Sequence, residues 1–230
     1  MKASCSKGEI GMNMIIMGPP GAGKGTAAES IRAAYGLAHI STGDLLRAAV
    51  KAGTELGLKA SVYMDAGKLV PDDVVIGLVE KRLGEADAAN GFMLDGFPRT
   101  IPQAKALSEM LDRIGRKLDV VINLKVDDDV IIRRIAGRLI CPSCGTIYNA
   151  YMNMPADGLC KCGGRPARRK DDEPEAVKTR LVAYKAQSEP LIGWYRERGL
   201  LAEVESSGTP VEVFAKISDV LSKHSGAGKW

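Results

Sequence analysis

Short apolar runs alternate with stretches of helical period along the chain. The runs that read as strands are Met14–Met17, Leu37–Ile40, Phe92–Leu94, Val120–Leu124 and Leu201–Val204. Helical patterns begin near Gly25, Asp44, Pro71, Ile101, Asp127, Pro174 and Pro210. Pro71 and Pro210 suit a first helical turn, where no N–H is required. Asp127 and Thr209 suit N-caps. This alternation predicts an α/β fold, a five-stranded parallel sheet flanked by helices. Two segments interrupt it. Residues 41–70 are mostly helical and join two strands by a long excursion. Residues 137–174 are rich in Gly, Pro, Cys and charge and show no helical period. Each reads as a small domain inserted into a core made of 13–40, 71–136 and 175–224. Ligands of parallel sheets bind at the carboxyl ends of the strands. Both insertions leave from that edge, placed to close over a ligand.

Gly18-Pro19-Pro20-Gly21-Ala22-Gly23-Lys24-Gly25-Thr26 lies between the first strand and its helix. Glycines there let successive backbone N–H groups face an anion. The helix presents its positive end to the same anion, and Lys24 adds a charge for outer phosphates. The spacing G-x4-G-K in a strand–loop–helix predicts a phosphate-binding loop and a fold of the P-loop NTPase type. Most such loops follow the lysine with a Ser or Thr on Mg2+; here Gly25 follows and the hydroxyl arrives at Thr26. Magnesium is therefore expected to be held by phosphates and water, with few protein bonds. Asp95 ends the third apolar run and is the candidate to organise Mg2+ through water.

Composition narrows the partners. The 230 residues are 45% apolar and 26% charged, which fits one large domain with insertions, or two domains. No window approaches the ~20 apolar residues of a membrane span, so no membrane partner is expected. The net charge is +4, aromatics are 5%, and no Lys/Arg block is interleaved with aromatics, which argues against nucleic acid. Residues 1–12 read as a disordered lead-in, or as a start assigned too early, with Met12 or Met14 as the alternative first residue. They lack the apolar stretch of a secretory signal, and a cytoplasmic protein is expected. Residues 225–230 read as a loose tail.

Of the five cysteines, Cys5 falls in the lead-in and reads as incidental. Cys141, Cys144, Cys160 and Cys162 fall within 22 residues and read as a metal site before they read as disulfides.

Arginines supply the remaining chemistry. In Asp95-Gly96-Phe97-Pro98-Arg99-Thr100, Gly96 and Pro98 fix a turn from which Arg99 projects, suited to bidentate capture of a phosphate. Thr42 or Asp44 can cap the helix that carries Arg47. Arg134 and Arg138 are spaced i, i+4 on the helix from Asp127, hence on one face. Arg168 and Arg169 precede Lys170-Asp171-Asp172, and Arg180 lies in the next helix. Taken singly each reads as a solvated charge, which Arg133 and Arg168 are expected to be. The set suits a polyanion. The two histidines, His39 and His224, read as structural or exposed, so no general base is expected. A phosphate-monoester acceptor needs none, because its second pKa is ~6. A nucleoside triphosphate beside a monophosphate brings roughly six negative charges together, which Lys24, Mg2+ and several arginines match.

These stretches together resemble the adenylate kinases of the long-lid bacterial type. The likeness rests on GPPGAGKGT at 18–26, HISTGDLLRAAV at 39–50, MDAGKLVPDDVV at 64–75, GFMLDGFPRTIPQA at 91–104, RRIAGRL at 133–139, CPSCGTIY at 141–148 and RRKDDEPEAVKTRLVAY at 168–184. It implies the reaction MgATP + AMP ⇌ 2 ADP. It implies that 41–70 is the monophosphate-binding domain and 137–174 the lid, in an enzyme that works as a monomer. By the same resemblance ATP lies on Gly21, Ala22, Gly23, Lys24, Gly25 and Thr26, with Arg134, Arg138, Ile147, Tyr148 and Thr209 nearby. AMP is held by Thr42, Arg47, Lys68, Leu69, Val70, Gly96, Phe97, Pro98, Arg99 and Gln103. Arg134, Arg138, Arg169 and Arg180 gather around the transferring phosphoryl group.

The chain departs from that pattern in two places. The second cysteine pair is Cys160-Lys161-Cys162, one residue shorter than the usual C-x2-C. A structural Zn2+ on all four thiolates is expected, with three thiolates and another ligand as the rival. The chain also runs one residue short near Thr209. Two other readings stay open: a UMP, CMP or GMP acceptor, and a non-catalytic protein whose cysteine segment is a nucleic-acid-binding zinc ribbon.

Overall fold

A computed structural model describes residues 11–151, 153–169 and 172–224. Cys5, most of the lead-in and the tail at 225–230 lie outside the described residues. The first half contains β1 (Asn13–Met17), α1 (Lys24–Tyr35), β2 (Ala38–Ser41), α2 (Thr42–Lys51), α3 (Glu55–Asp65), α4 (Asp72–Leu83), β3 (Phe92–Asp95) and α5 (Ile101–Arg113). The second contains β4 (Val120–Lys125), α6 (Asp128–Ala136), β5 (Arg138–Ile140), β6 (Ile147–Asn149), α7 (Pro174–Ala183), α8 (Pro190–Arg196), β7 (Leu201–Glu205) and α9 (Pro210–His224). A π-helical turn at Tyr184–Ser188 joins α7 to α8.

The main sheet has five strands in the order β2-β3-β1-β4-β7. Every pairing is parallel; Met14 on β1 registers with Met93 on β3 and with Val120 on β4. The central strand β1 is buried along its whole length, as a strand covered on both faces must be. Its alternate residues divide the core with the strand period of two. Ile15 and Met17 join Leu94, Val121 and the apolar faces of α4, α5 and α8 through Val79, Leu107 and Leu191. Met14 and Ile16 join Met93, Ile122 and the faces of α1 and α9 through Ile31, Ile217 and Leu221. Each such side chain contributes roughly 1.5–3 kcal/mol by leaving water, so the sheet is a rigid floor for whatever its carboxyl edge carries.

Local chemistry explains several boundaries. Thr209 and Glu212 form a reciprocal capping box: the Glu212 N–H donates to Thr209 Oγ1, and the Thr209 N–H donates to Glu212 Oε2 at 2.8 Å. Thr100 caps α5 by accepting from the Gln103 N–H. The cap of α2 is Ser41, whose hydroxyl accepts from the Asp44 N–H, and neither Thr42 nor Asp44. Asp127 occupies the N-cap position of α6 without a side-chain cap bond.

The expected common face of Arg134 and Arg138 does not form. Gly137 ends α6, and Arg138 opens strand β5. The 137–174 segment, read as having no helical period, contains the antiparallel β5–β6 hairpin and a bridge from Ile140 to Ala167.

Candidate active site

At the carboxyl edge of the sheet lies a cleft of about 1130 Å³. β1 delivers the glycine loop into it, β3 delivers Asp95, and β2 runs directly into α2. Gly21, Gly23, Lys24, Gly25 and Thr26 line the cleft. Ala22 does not; it is fully buried, and its carbonyl accepts from Ser206 Oγ at 2.7 Å and from Arg134 at 3.4 Å. Gly21 has φ +83°, and a Cβ there would meet Ile135 Cγ1 at 2.9 Å. Only glycine lets the loop lie this close to α6.

The Lys24 ammonium closes the loop on itself. It donates to the Gly18 carbonyl at 2.8 Å and the Pro19 carbonyl at 2.9 Å. Burial, opposed by the Asp95 carboxylate, brings its pKa down from 10.5 to about 8. A polyanion against Lys24 favours the charged form and raises that value. Nucleotide binding at pH 8 should therefore take up about half a proton, and binding below about pH 7 almost none. Calorimetric titration in two buffers of different ionisation enthalpy reads this directly; uptake that stays flat from pH 7 to 9 would remove Lys24 from the anion site.

The Asp95–Thr100 turn is clamped from several elements. The Arg99 N–H donates to Gln103 Oε1 at 2.7 Å, the Arg99 carbonyl accepts from Ser188 Oγ at 3.0 Å, and Arg99 Nε donates to the Gly96 carbonyl at 2.8 Å. Gln103 Nε2 and Thr100 Oγ1 both donate to the Asp72 carboxylate. Thr42, almost fully buried, donates from Oγ1 to the Gly96 carbonyl at 2.9 Å. His39 Nε2 lies 3.5 Å from Asp95 Oδ2, and both residues line the cleft.

The remaining cations converge from separate elements. Arg134 on α6 donates to the carbonyls of Ala22, Ser206 and Gly208, tying the glycine loop to the β7–α9 connection. Arg138 on β5 and Arg180 on α7 meet at Asp172, whose side chain is wholly buried. Arg138 forks onto both carboxylate oxygens, with Nε to Oδ2 at 2.7 Å, and Arg180 approaches Oδ1 at 3.4 Å. Arg47 pairs with Asp44 at 2.6 Å, and Arg169 lies 3.9 Å from the same carboxylate. Burial works against the Asp44 carboxylate, but Arg47, the Ser41 hydroxyl and Arg169 outweigh it and hold its pKa below the usual range.

All of these arginines line the one cleft, as do Lys68, Leu69, Val70, Gly96, Phe97, Pro98, Gln103, Ile147 and Tyr148. Thr209 does not line it; its flanking residues Gly208 and Pro210 do. Arg133 is exposed, as expected; Arg168 is exposed too, but it lines the cleft and donates to the Ala136 carbonyl, so it is more than a solvated charge. Sequence reasoning passed over Ser206, Ser188, Tyr184 and His39 as cleft residues and Asp172 as the anchor of two arginines.

The four cysteines also come together. Their sulfurs lie within 4.8 Å of one another, with the closest approaches 3.4 Å (Cys144–Cys160) and 3.5 Å (Cys141–Cys162). Those separations exclude a disulfide, whose sulfurs sit about 2 Å apart. They are near the roughly 3.8 Å edge of a tetrahedron built on ~2.3 Å zinc–sulfur bonds. The short Cys160-Lys161-Cys162 turn closes because two glycines follow. Gly163 has φ +82°, and a Cβ on Gly164 would meet Cys141 Sγ at 2.7 Å. The Cys162 N–H and the Tyr148 hydroxyl bring the Cys160 thiol down to about 6. At Cys162 the Gly164 N–H acts in the same direction, but the three neighbouring sulfurs outweigh it and push the thiol up to about 12. Four sulfurs at this spacing are a donor set suited to a soft-ligand dication such as zinc.

A family model described as adenylate kinase matches residues 16–200. The chain belongs to the adenylate kinase family. The adenylate kinase of Methanosarcina barkeri is 53% identical over 214 residues, covering 92% of this chain and 99% of its own length. Those of Bacillus pumilus and Carboxydothermus hydrogenoformans are each 50% identical, covering 91% and 92% of this chain and 98% and 100% of theirs. The matched span holds the glycine loop, both insertions and every arginine of the cleft. The five-stranded parallel sheet flanked by helices is the adenylate kinase P-loop architecture. Among the described residues no helix is long and apolar enough to cross a membrane.

Proposed function

We propose that the chain transfers the terminal phosphoryl group of MgATP to AMP, giving two ADP, by positioning and charge neutralisation. The observation that carries this reading is the convergence of Lys24, Arg47, Arg99, Arg134, Arg138, Arg169 and Arg180 on one cleft. They come from both insertions and from the core, and they match the charge of two nucleotides lying end to end. ATP lies along residues 21–26, with Arg134, Arg138, Ile147, Tyr148 and the Thr209 connection beside it. AMP takes the half lined by Thr42, Arg47, residues 68–70, the 96–98 turn, Arg99 and Gln103. Arg169 and Arg180 reach between the two.

In this reading 41–70 is the monophosphate-binding domain and 137–174 the lid. Excluding water lowers the local dielectric and strengthens each of these contacts. The AMP phosphate is already ionised at neutral pH, so His39 is not required as a base. The Thr26 hydroxyl and the Asp95 carboxylate, both facing the cleft, fit a Mg2+ that arrives on ATP and keeps most of its water. That ion supplies charge neutralisation of the phosphates. The cysteine cluster fits a structural Zn2+ held by four thiolates. The same proposal covers a monomeric, cytoplasmic enzyme with no nucleic-acid or membrane partner, since one chain frames both nucleotide halves.

A phosphotransfer panel with AMP, UMP, CMP and GMP tests the acceptor. AMP should lead in kcat/KM by at least on the order of 10²-fold, well inside the roughly 10⁴–10⁵ that a site hydrogen-bonding its substrate reaches. A preference for UMP or CMP would overturn the assignment. Salt-sensitive RNA binding without phosphotransfer would favour the zinc-ribbon reading instead.

A further inference from the structure

Tyr148 belongs to two sites. Its buried side chain forms part of the cleft wall. Its hydroxyl donates to Cys160 Sγ at 3.2 Å. Cys141 and Cys160 cluster with it, and Leu139, its partner across the β5–β6 hairpin, packs on the same group. Cys141, Cys144 and the intervening Pro142 continue the cleft wall. The neighbouring Ile147 reaches the phosphate loop, where a Cβ on Gly25 would lie 3.1 Å from Ile147 Cδ1. The sulfurs, the tyrosine and the glycine loop are therefore one continuous surface, with Tyr148 at the joint.

We propose that the Tyr148 hydroxyl is an outer-shell donor to the Cys160 thiolate and that it couples metal retention to nucleotide occupancy of the cleft. This rests on the four-thiolate reading. Four thiolates place more negative charge around a dication than it neutralises. A hydrogen bond to one sulfur withdraws part of that charge and fixes the direction of its lone pairs. A nucleotide packed on the ring removes its remaining freedom and holds the hydroxyl on the sulfur. Linkage makes the effect reciprocal: whatever factor the nucleotide adds to metal affinity, the metal adds to nucleotide affinity.

The test is zinc release from the full-length, zinc-loaded protein into excess chromophoric chelator, with and without a non-hydrolysable ATP analogue. Tyr148→Phe keeps the ring and removes the donor. In the empty state it should release zinc about tenfold faster than the parent, the low end for loss of an outer-shell partner. The analogue should slow release from the parent and slow it much less in Tyr148→Phe. Cobalt substitution gives a second readout, a shifted thiolate-to-metal charge-transfer band in the variant. Equal release rates and unchanged cobalt spectra overturn the proposal. An analogue effect of the same ratio in both proteins means simple shielding of the metal and overturns the coupling. A parent protein that takes up no stoichiometric zinc fails earlier, before chelator is added, and overturns the metal reading itself.

Discussion

Arg99→Ala should lower kcat for ADP formation by on the order of 10²–10³ while the melting temperature moves by a few degrees at most. That loss is the size expected when one preorganised donor to a developing charge is removed. The geometry separates the two effects. The Arg99 backbone is held by Gln103 through its N–H and by Ser188 through its carbonyl. Thr100 and Gln103 are anchored on Asp72. None of these bonds uses the guanidinium, whose Nε donates separately to the Gly96 carbonyl. Deleting the side chain therefore leaves the turn tied down and removes the fork that faces the cleft. Arg99→Lys should recover only part of the rate, because an ammonium keeps the charge but not the bidentate geometry. Steady-state kinetics and a thermal melt on the same samples decide the matter. Turnover near that of the parent would take Arg99 out of the phosphate site.

How much of this was legible in the sequence depended on the range of the forces involved. Local signals worked. The glycine loop follows from the backbone freedom of glycine and the pole of the next helix, and all five parallel strands follow from apolar runs such as Met14–Met17. Thr209 was readable as a cap because the capping box spans three residues. Signals that depend on partners distant in sequence did not work. Arg138 looked helical by spacing, but Gly137 ends the helix and Asp172, 34 residues away, holds the guanidinium on a strand. Asp172 itself is one of an acidic pair in the sequence, and nothing local says that its side chain is buried between two arginines.

The cysteine segment shows the same division. That its four cysteines belong together was readable from residue type and spacing. The hairpin was not, because its two strands, Arg138–Ile140 and Ile147–Asn149, are too short to show a period. The Gly163-Gly164 pair was the available signal that a one-residue turn between cysteines could still close. The π-helical turn at Tyr184–Ser188, which aims Ser188 at Arg99, has no sequence signature at all.

Removing the metal should unfold the cysteine-bearing hairpin and leave the sheet intact. The apolar group holding that hairpin is small: Cys141, Tyr148 and Cys160, with Leu139 and Met154 against them. Two of its three buried members are cysteines of the proposed metal site, and an isolated two-stranded hairpin is marginal in water. Structural zinc contributes about 10–16 kcal/mol in small peptide sites, more than this group can replace at ~1.5–3 kcal/mol per side chain. Chelation under reducing conditions, with metal loss verified by elemental analysis, should therefore abolish exchange protection at the Ile140 and Ala167 amides, which bond each other's carbonyls across the bridge. Amides of β1 should keep theirs, because their partners and core lie elsewhere. Phosphoryl transfer should fall in parallel, since Arg138, Ile147 and Tyr148 ride on the hairpin. Protection at Ile140 and Ala167 that survives verified metal loss would show that side-chain packing alone holds the hairpin. Reductant matters because Cys144 and Cys160 lie 3.4 Å apart: an oxidised pair would staple the same hairpin and hide the loss. The Arg99 variant and the stripped protein thus lose activity for different reasons, one missing a single charge in an intact cleft, the other missing the wall that carries several.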